Sequence, residues 1–474
     1  MKGRGWWRAA GPRARYVSAG VVAVVLAGGA VTGALVADGT GPAVPPLYMA
    51  GIAVQPCTGQ VAVVPTSATG HFLPGSSVLS AGAGAASTCT AGAVTSSQNW
   101  LDQGTVPGDS AAERESAARA LLDLRLSVQA DGAVVAGYHT GWDYTWPRDS
   151  SWVAAALAGT GHSAAALRIL EFLQRMQSAD GTWAARYHTD GSGPVQDGRP
   201  AELDAVGWVP WAVWSWAQGQ PLGPDSAGQA ELERLWPMVT KAADAAIASL
   251  ASDGLPEAAM DYWEDKPIQV TLGTAAPLLA GLRAAADLAG QLASNGTGTA
   301  AAQRASWVSE QVRWAQAADR LSAAISATFG KTGYQRTASA RSGADAAVTF
   351  LGPPFATPDS AVLAAASAAR VALAEPNGGL RPGAAWHGAA GVAWTPETAM
   401  FALFDAGTGQ DAAARQLLGW LTAHRTSLGE FPEQVAPDGK PVSVAPLAWT
   451  DAIVLLTFLA QSGQLPSVPV PAGS

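Results

Sequence analysis

Charge, cysteine and histidine are all scarce in this sequence. Only 14% of its 474 residues are charged, cysteine occurs twice and histidine six times. Two cysteines and scattered histidines give no metal-ligand spacing, so no zinc site is expected, and neither is any other metal or cofactor. Basic residues are thin after the N-terminus and the net charge is −9, which leaves no electrostatic footprint for nucleic acid. Strand signals are also nearly missing beyond residue 110, which points to an all-α fold for most of the chain.

Tryptophan, by contrast, is plentiful, with 19 copies against seven Tyr and nine Phe. Indoles fill cores, and they also give flat apolar platforms for the C–H faces of sugars. The N-terminus carries Lys2, Arg4, Arg8, Arg13 and Arg15 ahead of an uncharged apolar run from Val17 to Ala37. Residues 1–37 therefore read as a signal peptide or a retained transmembrane anchor, with the rest of the chain outside the cytoplasm, membrane-anchored or secreted. In that setting Cys57 and Cys89 can close a disulfide, two free thiols being the alternative.

Residues 38–108 are rich in Gly, Pro, Ser, Thr and Ala and read as an irregular spacer or small stapled subdomain. Only short Val-rich runs such as 61–64 hint at strands. From Ser110 helical patterns follow one another near 110–129, 150–160, 163–178, 203–218, 228–250, 272–292, 300–329, 358–374, 394–406, 410–425 and 446–462. A twelfth is left open at an irregular join. Short and long connections alternate, as a ring of helical hairpins requires, with the long loops on one face. Residues 109–464 form the expected helical domain, and 465–474 a Pro-rich tail.

Four long connections gather the charged and aromatic residues. Residues 254–266 pack Glu257, Asp261, Glu264 and Asp265 beside Tyr262 and Trp263. Crowded carboxyls next to an indole resist ionisation, and one of them should hold a proton near neutrality, as a general acid must; a solvated acidic loop is the plainer alternative. Residues 139–149 carry Trp146, Arg148 and Asp149, the last of which could simply cap a helix. Residues 198–208 carry Arg199 and Asp204 and lead into Trp211, Trp214 and Trp216, whose spacing suits core packing. Residues 429–435 carry Glu433, which alone could be no more than an acid complementing a helix dipole. The two acidic centres Glu264 and Glu433 stand 169 positions apart on the same kind of Trp-flanked loop. Cleavage of a glycosidic bond needs such a pair, one acid and one base or nucleophile.

These stretches together resemble glycoside hydrolase family 15, the glucoamylase family. The matching pieces are Trp146-Pro147-Arg148-Asp149, Gly198-Arg199-Pro200 with Asp204, Leu235-Trp236-Pro237, Asp261-Tyr262-Trp263-Glu264, Gly378-Gly379-Leu380-Arg381 with Trp394, Pro432-Glu433-Gln434 and Pro446-Leu447-Ala448-Trp449. They run in the family's order across about 110–462. The resemblance implies an (α/α)6 barrel, a six-hairpin glycosidase with a pocket at one end. It implies inverting, exo-acting release of glucose from the non-reducing end of an α-glucan or maltooligosaccharide.

Glu264 would then be the general acid and Glu433 the general base. Arg148 and Asp149 would grip hydroxyls of the terminal glucose. Arg381 would be the sugar-binding arginine, and Trp263 and Trp449 would line the pocket. Trp146, Arg199, Asp204 and Asp261 join the substrate-binding set. Asp197 replaces a family Trp, Pro382 a Tyr, and Asp265 a second Glu, which leaves linkage and chain-length preference open. No starch-binding module is visible at either end, so short oligosaccharides are expected over granular starch. The chain is expected to work as a monomer, meeting the membrane only through an uncleaved N-terminal segment. A trehalase or isomaltose/dextran-type exo-hydrolase is the alternative within enzymes. A catalytically inactive glycan-binding protein is the alternative outside them, disfavoured by the presence of both carboxylates. A terpene-cyclase-like toroid lacks its Asp-rich diphosphate-binding run.

Overall fold

The computed structural model describes residues 42–80, 88–223, 226–295 and 300–470. The expected N-terminal signal or anchor lies outside the described residues, as does the end of the tail. Among the described residues, no helix is long and apolar enough to cross a membrane.

The first element is an antiparallel hairpin of β1 (Gly51–Val54) and β2 (Val61–Val64). Cys57 in its turn is bonded to Cys89, 32 positions on, with the Cα atoms 4.9 Å apart. Cys89 stands at the start of helix α1 (Thr88–Leu101). Sequence periodicity does not announce α1, because only Ser97 and Leu101 of it are buried and no apolar stripe marks a face. The helix is held by the disulfide, by Arg125 on the Ser96 carbonyl and by the Gln98 amide on the Pro74 carbonyl instead.

Eleven further helices follow: α2 (Ala111–Ser127), α3 (Pro147–Gly159), α4 (Ser163–Met176), α5 (Ala205–Gln218), α6 (Ala227–Ala248), α7 (Leu272–Asn295), α8 (Ala301–Phe329), α9 (Ser360–Leu373), α10 (Thr395–Gly407), α11 (Asp411–Ala423) and α12 (Ala448–Gln461). The join left open by the sequence holds a 3-10 segment, Ala346–Leu351. It stops at Gly352 before Pro353 and Pro354, which cannot continue a helix. Packing closes α3, α5, α7, the 3-10 segment, α10 and α12 into a ring, each element touching the next and α12 returning to α3. Against them from outside lie α4, α6, α8, α9, α11 and α2 in the same order. The chain thus alternates between the outer and inner layers of a helical barrel.

Residue pattern explains the sorting. Every residue from Pro147 to Ala158 of α3 and from Ala448 to Leu459 of α12 is buried, as an inner-ring helix requires. Outer α4 buries one stripe, Ala165, Ala166, Ile169, Leu170, Phe172 and Leu173. Inner helices can approach closely where glycine faces glycine. A Cβ at Gly281 of α7 would lie 2.5 Å from the Gly207 carbonyl oxygen of α5.

Trp152, Trp208 and Trp211 meet Phe355 with centroids 4.9–5.1 Å apart and fill the ring's interior. Much of the tryptophan excess is therefore core. Above that plug, short strands tie the loops at one end: β3 (Tyr144–Thr145) with β4 (Tyr187–His188), and β5 (Ala393–Trp394), β6 (Gln434–Val435) and β7 (Pro441–Val442) in one sheet.

Candidate active site

Above the aromatic plug the loops enclose a cavity of about 440 Å³ including its mouth. Glu264 and Glu433 both belong to its wall, as do Trp146, Arg148, Asp149, Trp263 and Trp449.

Glu264 is set by a pinned turn. Asp261 is fully buried; it accepts from the Trp263 amide at 3.0 Å and the Thr271 hydroxyl at 2.6 Å, and pairs with Arg336 at 3.0 Å. The Glu264 amide then closes onto the Asp261 carbonyl at 2.8 Å. Glu264 adopts φ 55°, the left-handed region that a non-glycine residue enters at a cost of about 1 kcal/mol or more. Strain of that kind persists only where surrounding contacts fix it. Arg336 supplies part of them, with its guanidinium carbon 3.6 Å from the Trp263 ring centroid and a second ion pair to Asp345 at 3.1 Å.

The carboxylate of Glu264 meets two arginines. Arg199 pairs with it directly, and Arg148 lies 3.7 Å away. Arg148 is buried over the Trp449 ring and is also held by Glu202 at 2.5 Å, Asp204 at 3.4 Å and Asp149 at 3.4 Å. These carboxylates hold its pKa well above the ordinary value despite burial. Burial dominates for Glu264 and raises its pKa to about 7, against the pull of Arg199 and Arg148. Burial likewise raises Asp149 and Asp204 to about 6, opposed by Arg148.

Glu433 sits in a different environment. Its backbone is locked between strands, donating to the Val444 carbonyl at 2.8 Å and accepting from Thr395 at 2.9 Å. Its side chain accepts from the Trp142 indole at 3.1 Å, the Gln434 amide at 3.1 Å and the Ser443 hydroxyl at 2.5 Å. Burial raises it to about 7, and the three donors pull the other way. Donors that fix a carboxylate without a cation suit a base, which must be ionised and aimed.

The remaining expected residues divide. Arg199 touches Glu264, and Asp204 lies beneath Arg148; both act on the wall from behind. Asp261 is a buried anchor of the loop and does not line the cavity. Arg381, expected among the sugar-binding residues, does not line this cavity. Leu380 bridges Ala374 and Trp394, so Pro382 reaches the cavity wall while Arg381 turns out to Glu375 at 3.6 Å.

Sequence reasoning missed Trp386, Trp394 and Glu397 on the wall and Trp142 and Ser443 behind Glu433. Trp142 and Trp394 fell inside stretches already singled out. Glu397 gave no signal, since an acid in a first helical turn is ordinary.

Several buried polar atoms on this wall make no hydrogen bond within the protein: Glu397 Oε2 and the indole nitrogens of Trp146, Trp263, Trp386 and Trp449, with Asp149 Oδ1 and Glu264 Oε1 held only by the Arg148 ion pairs. Buried polar groups are normally satisfied. Acceptors and donors left open together on one wall suit a ligand that both gives and takes hydrogen bonds. Among the described residues, no group of three or more His, Cys, Asp or Glu could hold a metal ion.

No family model matches the chain. An uncharacterized glycosyl hydrolase of Methanocaldococcus jannaschii is 27% identical over 151 residues, which is 31% of this chain and only 22% of that protein's length. Among solved structures, a wild-type glycosidase superposes with a TM-score of 0.60 at 23% identity, covering 76% of this chain and 100% of that one. A bacterial glucoamylase complexed with acarbose superposes at 0.57 with 15% identity, covering 80% of this chain and 59% of that one. These likenesses show a glucoamylase-like helical barrel.

Proposed function

We propose that this chain is an inverting, exo-acting glycoside hydrolase of glucoamylase type, releasing glucose from the non-reducing end of α-glucans or maltooligosaccharides. The observation that carries the reading is the shared cavity. Two buried glutamates from distant loops, 3% and 2% exposed, face one space whose wall is aromatic and whose open hydrogen-bonding atoms are of both kinds. The archaeal glycosyl hydrolase and the glycosidase and glucoamylase structures support the same class.

In this mechanism Glu433 begins ionised and takes a proton from a water molecule. The water oxygen bonds to the anomeric carbon from the face opposite the leaving group. The glycosidic C–O bond breaks, and protonated Glu264 gives its proton to the leaving oxygen. Glu433 ends protonated and Glu264 ionised, and exchange with solvent resets both. Arg148 and Asp149 hold hydroxyls of the terminal sugar, while Trp263 and Trp449 exclude water and stack on it.

The enzyme works outside the cytoplasm, secreted or anchored. The Cys57–Cys89 disulfide supports an oxidising compartment.

The test is glucose release from maltooligosaccharides, with trehalose and isomaltose in the same panel. Glu264→Gln and Glu433→Gln should each lose about 10²–10⁴-fold in kcat/KM. Undiminished activity in either variant removes that residue from its role.

A further inference from the structure

Four carboxyl side chains face the cavity: Asp149, Glu264, Glu397 and Glu433. The acid–base pair and the arginine-held Asp149 leave Glu397 without a task.

Glu397 stands in the first turn of α10, directly after Trp394, Thr395 and Pro396. β5 pairs Trp394 with Gln434, and the Thr395 amide donates to the Glu433 carbonyl at 2.9 Å. Glu397 is therefore carried on the same rigid wall as the base. It is 3% exposed, makes no ion pair in the described structure, and its Oε2 has no partner in the protein. An acid that only complemented the helix dipole would be solvated and satisfied; this one is neither.

The charged groups acting on it are mostly of its own sign. Burial, then Glu433 and Asp345, raise it to about 8; the helix backbone and Arg148 oppose them. A buried carboxyl beside a second one, with no cation of its own, keeps its proton. In that state it carries an O–H to give and a carbonyl oxygen to receive, the same capacities as a sugar hydroxyl.

Resting on the reading of this cavity as a sugar site, we propose that Glu397 is a substrate-binding residue that meets the sugar as a neutral carboxylic acid, donating its O–H to a hydroxyl oxygen of an uncharged sugar held between Glu264 and Glu433. Its neutrality also leaves Glu433 free to be the ionised carboxyl of that wall.

The experiment measures glucose binding by titration calorimetry at about pH 6 and about pH 9, on either side of the Glu397 titration. Wild type, Glu397→Gln and Glu397→Leu are compared, with maltotriose hydrolysis followed in parallel. Glu397→Gln, which keeps a neutral donor, should bind glucose within about threefold of wild type at the lower pH and lose less affinity at the higher one. Glu397→Leu should weaken binding about tenfold, the loss of one buried hydrogen bond, and raise KM more than it lowers kcat.

Wild-type affinity in Glu397→Leu, equal weakening in both variants at the lower pH, or no glucose binding by the wild type overturns the proposal. If glucose binds as expected but maltotriose is never cut, Glu397 keeps this role and the hydrolase reading fails alone.

Discussion

The indole nitrogen of Trp142 donates to Glu433 Oε1 at 3.1 Å across 291 positions of sequence. The bond stabilises the charged form of the carboxylate, so it lowers the pH at which the proposed base becomes ready. Trp142→Phe keeps the packing and removes the donor. Its acid limb in kcat/KM should move to higher pH, by about one unit. The two glutamates share a cavity and both lie near 7, so the limbs belong to the pair, whose singly protonated state is the one the proposed mechanism uses. The wild-type profile should be a bell with its maximum near neutrality. A pH–rate series on both proteins checks this, and an unmoved acid limb would separate Trp142 from the base.

A second buried carboxyl group lies where the N-terminal hairpin docks. Asp123, Glu430 and Asp451 are all fully buried, and Arg119 pairs with Asp123 at 2.7 Å. Glu430 accepts from the Ile52 amide of β1 at 3.0 Å, while neither oxygen of Asp451 has a hydrogen-bond partner. Burial raises Asp123 to about 6, with Arg119 and Arg425 opposing, and burial together with repulsion from Asp123 holds Glu430 and Asp451 well above their ordinary values. The folded chain thus keeps protons that the unfolded chain releases near pH 4. Their stabilising contribution is complete below that point and is lost as pH rises through about 6 and beyond. The thermal midpoint should fall by several degrees from about pH 5 to about pH 8. Asp451→Asn should raise it at the upper pH and change it little at the lower. Equal shifts at both pH values would contradict this.

Much of this architecture can be read from the chain because the inner helices are apolar on every side and the outer ones on a single stripe. Helix α1 escapes because a disulfide, not a buried face, holds it. The sixth inner element escapes as a regular helix because Gly352, Pro353 and Pro354 truncate it. At the site, Trp263, Glu264 and Glu433 can be found because polar and aromatic residues cluster on long loops. Which arginine supports Trp263 cannot be found that way. Arg336 lies 73 positions from it on a stretch without any local signal, and only the fold brings it over the ring. The direction of Arg381 depends likewise on a strand bridge that no local pattern encodes.

The Cys57–Cys89 bond closes a loop of 32 positions that runs from the hairpin turn through β2 to the start of α1. Cys57→Ser with Cys89→Ser should cost the hairpin and α1 about 3 kcal/mol. Hydrogen exchange should quicken in residues 51–64 and 88–101 while the barrel stays protected. Glucose release should persist, because neither element contributes to the cavity wall. Uniform loss of protection through the barrel would show the hairpin to be integral to its folding.

Inversion is the most direct test of Glu264 and Glu433 as an acid and a base on opposite sides of one bond. Proton NMR of the first glucose released from maltotriose, read before mutarotation, should show the β-anomer. Release of the α-anomer would mean retention of configuration and a nucleophilic glutamate, and would contradict the assignment of Glu264 as acid and Glu433 as base.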